Sequence, residues 1–199
     1  MATDIVARLR SALEHEGESS SDFDLNPGTV LPEGRKLRSA GVLIAVSVFG
    51  DRPEILLTKR SSVLKHHPGQ IAFPGGKQEE SDADVTAAAL REASEEVGLP
   101  VDVPRVIGHM PAHETVTGFV VTPVVAVLEQ PFDAIAEPGE VEEVFSVPFE
   151  HLMTPANYLV ESRRWRGSRR HYYTVPYGPY YIWGATARML RALAARFEQ

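Results

Sequence analysis

Glu92, Glu95 and Glu96 lie in the stretch REASEEVGL, residues 91–99. On a helix their spacing of i, i+3 and i+4 puts three carboxylates on one face. Each like-charged pair costs roughly 0.2–0.5 kcal/mol. Glu95 and Glu96 also fall in the last turn, beside the negative end of the helix dipole, which adds roughly 0.3 kcal/mol each. No Lys or Arg follows at i+4. Two readings fit such a cluster. One is a solvated acidic surface. The other is a site for a divalent cation, because Mg²⁺ takes oxygen ligands and accepts one or two carboxylates together with water and phosphate oxygens. The surroundings must decide.

The elements that would position these acids can be read from periodicity. Residues 83–97 form the strongest helix candidate, with Leu90, Ala93, Val97 and Thr86 as the stripe toward the core and the small Ala88 beside the acids. Ser81, Asp82 and Asp84 are natural N-caps. Pro74 ends a short strand, QIAF, and Gly75 and Gly76 permit a sharp turn. The segment from Gly75 to Asp82 is long for a plain connection, which points to a working loop. Upstream, AGVLIAVSVF (40–49) reads as a buried strand and EILLTKR (54–60) as its hairpin partner. Downstream come strands in VIGHM and GFVVTPVVAVLE, a short helix in PFEHLM, a late hairpin in NYLVESRRWRG and SRRHYYTVPYG, and an amphipathic C-terminal helix using Met189, Leu190, Leu193 and Phe197. At the N-terminus, Ile5, Val6, Leu9 and Leu13 mark a helix, followed by a polar linker. The expected organisation is an N-terminal helix and arm at 1–36 and a compact domain at 37–199. The fold class is α+β, a mixed sheet flanked by helices in an α/β/α sandwich.

The segment GKQEESDADVTAAALREASEEVGL resembles the signature box of the Nudix hydrolase superfamily, GX5EX7REUXEEXGU. Gly76, Arg91, Glu92, Glu95, Glu96, Gly98 and Leu99 match. Asp82 stands where the pattern has Glu, and eight residues rather than seven separate it from Arg91. The preceding LLTKRSSVLKHHPGQIAFPGG (56–76) resembles the motif LLTXRSX3RX3GX3FPGG of coenzyme A pyrophosphatases within that superfamily, with Lys65 in place of an Arg. The two motifs are contiguous. TGFVVTPVVAV, GEVEEVFSVP and YIWGATA also look like this subfamily.

The resemblance implies a Nudix fold and hydrolysis of coenzyme A, or its acyl or oxidised forms, to 3′,5′-ADP and 4′-phosphopantetheine. It implies Mg²⁺ or Mn²⁺ held by Glu92, Glu95 and Glu96. It places Arg91 as an organiser that would bond Glu79 or Asp82, and Glu140 as the first candidate for the base outside the box. Glu142, Glu143, His113 and Glu114 are further candidates. Arg60, Lys65, Phe73, Gly75 and Gly76 are expected to bind substrate, with His66 and His67 beside them. The arginines and aromatics of ESRRWRGSRRHYY could add nucleotide contacts or simply form a surface hairpin.

Bulk properties narrow the classes. The chain has 199 residues, 43% hydrophobic, enough for one domain with a substantial core. A net charge of −7 argues against broad nucleic-acid or anionic-membrane binding. The absence of cysteine excludes thiolate chemistry and disulfides. No apolar run is long enough to span a bilayer. The expectation is a cytoplasmic enzyme acting on a small molecule, with a homodimer allowed. Competing readings are a Nudix hydrolase for another substrate, such as ADP-ribose or a dinucleoside polyphosphate, and a nucleotide sensor that lost catalysis.

Overall fold

The computed structural model describes residues 2–14, 17–165 and 167–197. In chain order the elements are α1 (Ala2–Glu14), β1 (Ser20–Ser21), β2 (Arg38–Ser47), β3 (Glu54–Arg60), β4 (Ile71–Ala72), β5 (Gly75–Lys77), α2 (Val85–Val97), β6 (Arg105–His109), β7 (His113–Glu114), β8 (Phe119–Leu128), β9 (Val141–Pro148), α3 (Phe149–Met153), a 3-10 turn at Pro155–Asn157, β10 (Leu159–Trp165), β11 (Ser168–Thr174) and α4 (Gly184–Arg196). Strands β1 to β9 form one mixed sheet, ordered β1-β7-β8-β2-β3-β4, with β5 paired to β2, β6 to β8 and β9 to β3.

The centre of the sheet is the parallel pair β2–β8, in register from Arg38↔Phe119 to Ser47↔Leu128. Both strands read as nearly unbroken apolar runs because both faces are covered. Alternate residues enter different cores. Ile44, Val46, Val125 and Val127 face the layer that contains Leu9 of α1, Leu152 of α3 and Leu190 and Leu193 of α4. Leu43, Ala45, Val124, Ala126 and Leu128 face Ala89, Ala93 and Val97 of α2. Each fully buried Leu or Val contributes roughly 1.5–3 kcal/mol relative to exposure. The sheet is therefore the filling between two helical layers. Ile5 and Leu9 are buried, so α1 is packed into one of these layers.

The expected hairpin is present as antiparallel β2 and β3. The helix stripe differs by one position. Ala89 is fully buried against the sheet, whereas Leu90 sits at the edge of that core and the Thr86 hydroxyl lies 2.9 Å from His109 Nε2. The reason is close approach. A Cβ on Gly41 would lie 2.3 Å from the Val85 carbonyl oxygen and 3.2 Å from Ala89 Cβ. At that separation only a small side chain such as that of Ala89 fits beside Gly41. The glycines before the helix also differ from expectation. They are not a free turn but strand β5, with Gly75 opposite Val42 and Gly76 opposite Gly41.

Candidate functional site

Three neighbouring elements bring the site residues together. Helix α2 begins at the Asp84 cap, whose Oδ1 accepts the Ala87 N–H at 2.8 Å, and ends at Gly98 in the left-handed conformation with φ of 69°. Strand β5 runs beside it. A Cβ on Gly76 would lie 2.4–2.7 Å from the Glu92 carboxyl atoms, so only glycine leaves that carboxylate its place. Gly75 lies just as close to β2, where a Cβ would meet the Gly41 oxygen at 2.4 Å.

The three glutamates do not share one environment. The Glu96 side chain is 6% exposed, that of Glu92 18% and that of Glu95 58%. Glu96 is raised to about 7, chiefly by burial and also by the charges of Glu92 and Glu140, against the downward pull of the Gly75 N–H, donated to its Oε2 at 3.0 Å, and of the Arg60 guanidinium. Burial also raises Glu92, which Arg91 opposes. Glu95 turns outward onto Arg91.

Arg91 ties the acidic face to the loop in front of it. Its Nε and Nη2 donate to the two oxygens of Asp82 at 3.0 and 3.1 Å, and Nη2 also donates to the Lys77 carbonyl. Its Nη1 lies 3.1 Å from Glu92 and 2.9 Å from Glu95. The repulsion among the acids is thus partly offset from one residue before them rather than from i+4. The same two-pronged hydrogen bond holds Asp82 below the usual carboxylate range, aided by the Glu79 N–H at 2.8 Å, and holds Arg91 above its own. Of the two expected partners, Asp82 is the one bonded by the Arg91 side chain.

The rim comes from β3 and from the segment before β9. The β3–β9 pairing slips between Lys59 and Arg60, where the Ser61 N–H donates to the Glu140 carbonyl at 2.8 Å. Arg60 Nη1 reaches to 3.9 Å from Glu96 Oε1. The preceding segment is clipped to the end of α2, with Ile135 N–H on the Val97 carbonyl and Glu137 N–H on that of Glu96. This clip carries Glu140 close enough for its charge to reach both Glu92 and Glu96. The sequence reading missed it, since backbone bonds leave no residue signature.

The other expected residues are placed as follows. Glu142 is paired with Lys59 at 2.6 Å, and Glu143 accepts from the Tyr180 hydroxyl at 2.5 Å. His113 is fully buried, its ring nitrogens 2.9 Å from Ser20 Oγ and 3.1 Å from Asp22 Oδ1, and Glu114 is paired with Arg35. Lys65 and His66 lie on an exposed loop. His67, on the same loop at φ of 53°, is lowered by partial desolvation and by Arg60, so it adds little positive charge at neutral pH. Phe73, expected to touch substrate, is a core residue only 3% exposed; strand β4 feeds it into the layer under the sheet, and it offers no ring surface to a ligand.

The donor set is hard oxygen throughout, which suits Mg²⁺ or Mn²⁺. Among the described residues no three acids converge into a ready-made cage. What exists is an open arrangement of a buried Glu96 and a half-buried Glu92, whose mutual cost a cation would remove. These residues fit a cation that keeps water and phosphate oxygens among its ligands.

The family model described as the NUDIX domain matches residues 38–167. The chain belongs to the Nudix family. Its Nudix relatives include the Nudix hydrolase NudL of an Enterobacter species, 42% identical over 157 residues that span 79% of this chain and 81% of that one. The protein of the same name from Citrobacter koseri is 42% identical over 174 residues, 87% of this chain and 90% of that one. Among solved structures, a Nudix hydrolase from Alicyclobacillus acidocaldarius shares the fold with a TM-score of 0.52 at 18% identity, covering 81% of this chain and 93% of that chain. No described helix of this Nudix protein is long and apolar enough to cross a membrane.

Proposed function

We propose that this protein is a metal-dependent hydrolase of the diphosphate in coenzyme A or a close derivative, releasing 3′,5′-ADP and 4′-phosphopantetheine or its acyl form. The observation that carries the reading is the desolvated pair Glu92–Glu96 under the β5 glycines, with Arg60 and Glu140 at its rim. The motif likeness at 56–76 supports the choice of substrate.

Glu92 and Glu96 hold Mg²⁺ or Mn²⁺, with Glu95 available from the helix surface. Held there, such a cation would screen the diphosphate oxygens and lower the pKa of water. Arg60, and Lys65 from its flexible stem, draw the phosphates to the rim. Gly75 and Gly76 let the backbone come close to the reacting centre, and the Gly75 N–H fixes Glu96. Arg91, locked onto Asp82, keeps the loop and the helix in one register. Glu140 accepts the proton of the attacking water. It is preferred over Glu142 and Glu143 because Lys59 and Tyr180 occupy those two, and over His113 and Glu114 because the first is sealed from solvent and the second is bound by Arg35.

The test is a product panel. The purified protein is incubated with Mn²⁺ and, separately, coenzyme A, an acyl-coenzyme A and ADP-ribose, and the products are separated. Formation of 3′,5′-ADP at the highest kcat/KM is expected. Faster release of AMP from ADP-ribose moves the assignment to that substrate, and binding without turnover in all three makes the protein a sensor.

A further inference from the structure

Strands β10 and β11 stand apart from the main sheet as a two-stranded antiparallel ribbon, a unit with little stability of its own. Its two edges are not equally covered. Asn26 straps the outer edge of β11, where its side chain donates to the His171 carbonyl at 2.9 Å and accepts the His171 N–H at 2.8 Å. No such strap covers β10. Every residue from Leu159 to Arg164 is exposed, Leu159 and Val160 at 54% each. Among the described residues, no group outside the ribbon bonds the β10 backbone.

The register tells which backbone groups are left over. His171 turns both its N–H and its C=O outward to Asn26, so it exchanges no hydrogen bonds with Ser162, the residue opposite. Bonded and non-bonded pairs alternate along an antiparallel ladder. Ser162 therefore turns its own N–H and C=O to the free edge, as do Val160 and Arg164 two residues to either side. These evenly spaced donors and acceptors are a template for another strand. The side chains say which strand. Glu161 and Arg163 flank Ser162 on one face of the ribbon; Glu161 accepts from the Tyr181 hydroxyl at 2.6 Å, and the Arg163 guanidinium lies 4.3 Å from the Trp183 ring. Neither has an ion-pair partner among the described residues. Two copies of β10 paired antiparallel about Ser162 set Glu161 of each opposite Arg163 of the other. Opposite charges directly across a strand pair are favourable. They fall here at the non-bonded positions, where side chains come closest.

We infer that the free edge of β10 is the surface through which two copies of this chain join, their ribbons merging into one continuous antiparallel sheet centred on Ser162. Ser162 pairs with Ser162 of the second copy, and Val160 with Arg164 of the second copy. Each pair exchanges both N–H···O bonds, and the aliphatic stem of Arg164 covers the exposed Val160. The relation is a twofold, so the contact closes on itself and leaves no β10 edge open for a third chain. A strand without acids in this register would meet the arginines unpaired, which restricts the edge to its own copy.

Sedimentation equilibrium of the full chain over about 1–300 μM tests this, a range suited to a short edge because small interfaces bind weakly. The wild type is expected to pass from monomer to dimer as its concentration rises. Ser162→Pro removes an N–H that the ribbon itself does not use, so this variant should fold and stay monomeric throughout. Glu161→Arg and Arg163→Glu should each be monomeric alone, through like-charge repulsion. Mixed one to one they should associate, because the mixture restores both oppositely charged pairs. Thermal melts confirm that each variant is folded; if Ser162→Pro is not, the mixed charge variants carry the test. A wild type that remains monomeric at the highest concentration overturns the inference. So does a dimer that survives in folded Ser162→Pro or in either charge variant alone, or a mixture that fails to associate. The readout is mass, so the result stands apart from whichever substrate the glutamates serve.

Discussion

The Gly75 backbone N–H donates to Glu96 Oε2 at 3.0 Å, joining the strand before the acidic loop to the most buried carboxylate of the helix after it. That one bond aligns the β5 glycines with α2. It also predicts that the two glycines respond differently to the same substitution. In Gly75→Ala the new Cβ strikes backbone, at 2.4 Å from the Gly41 oxygen and 2.6 Å from Val42 Cα, at a φ of 153°. Stability should fall by about 1–3 kcal/mol. In Gly76→Ala the three atoms nearest the new Cβ all belong to the end of the Glu92 side chain, which can swing away. The fold should persist while turnover drops at least about tenfold, the usual scale for disturbing the support of a metal ligand. Denaturant melts and steady-state kinetics on both variants read the contrast.

Asp82 is expected to matter although it departs from the family pattern. Asp82→Ala would leave Arg91 bound to Glu92 and Glu95 but detach the loop. Turnover should fall roughly 10–100-fold, with a lower melting temperature. Because the bond with Arg91 depresses the Asp82 pKa, the stability it gives is present above the unfolded value of 3.8 and is lost as the pH falls below it. The difference in melting temperature between wild type and Asp82→Ala should therefore shrink on acidification from pH 7 to pH 3.

Glu96 gives the opposite sign. Its folded pKa is raised from 4.5 to about 7, so the metal-free chain is favoured by a protonated Glu96. That contribution is fully present below 4.5 and is lost as the pH climbs through about 7. A cation needs the deprotonated form, so its affinity should rise with pH up to about 7 and then level off. Melting curves with Mn²⁺ and with a chelator should lie closer together at pH 5.5 than at pH 8. An equal gap at both would remove the role given to Glu96.

Much of this site was legible because its signals are local. The acidic helix face, the Asp84 cap, the glycines and the reach of Arg91 to Asp82 all fall within about 25 residues, where spacing and residue type suffice. What escaped depends on distant partners. Nothing in GESSSDFD shows that Ser20 and Asp22 will close around His113, more than 90 residues on. The strand character of Gly75–Lys77 comes from β2 rather than from its own composition. Phe73 was misplaced for a related reason: a motif match marks a residue as needed without saying whether ligand or core needs it. The one-position error in the α2 stripe traces to Gly41, whose closeness to the helix is fixed by tertiary packing.

The central claim is that a divalent cation sits against Glu92 and Glu96. Titration of Mn²⁺ into the protein at pH 8, followed by the loss of the free-ion electron paramagnetic resonance signal, measures it without reference to substrate. The wild type should bind at least one Mn²⁺, and the Glu92→Gln/Glu96→Gln double variant, folded by its melting curve, should bind at least about tenfold more weakly. Equal binding by the two proteins would contradict the account.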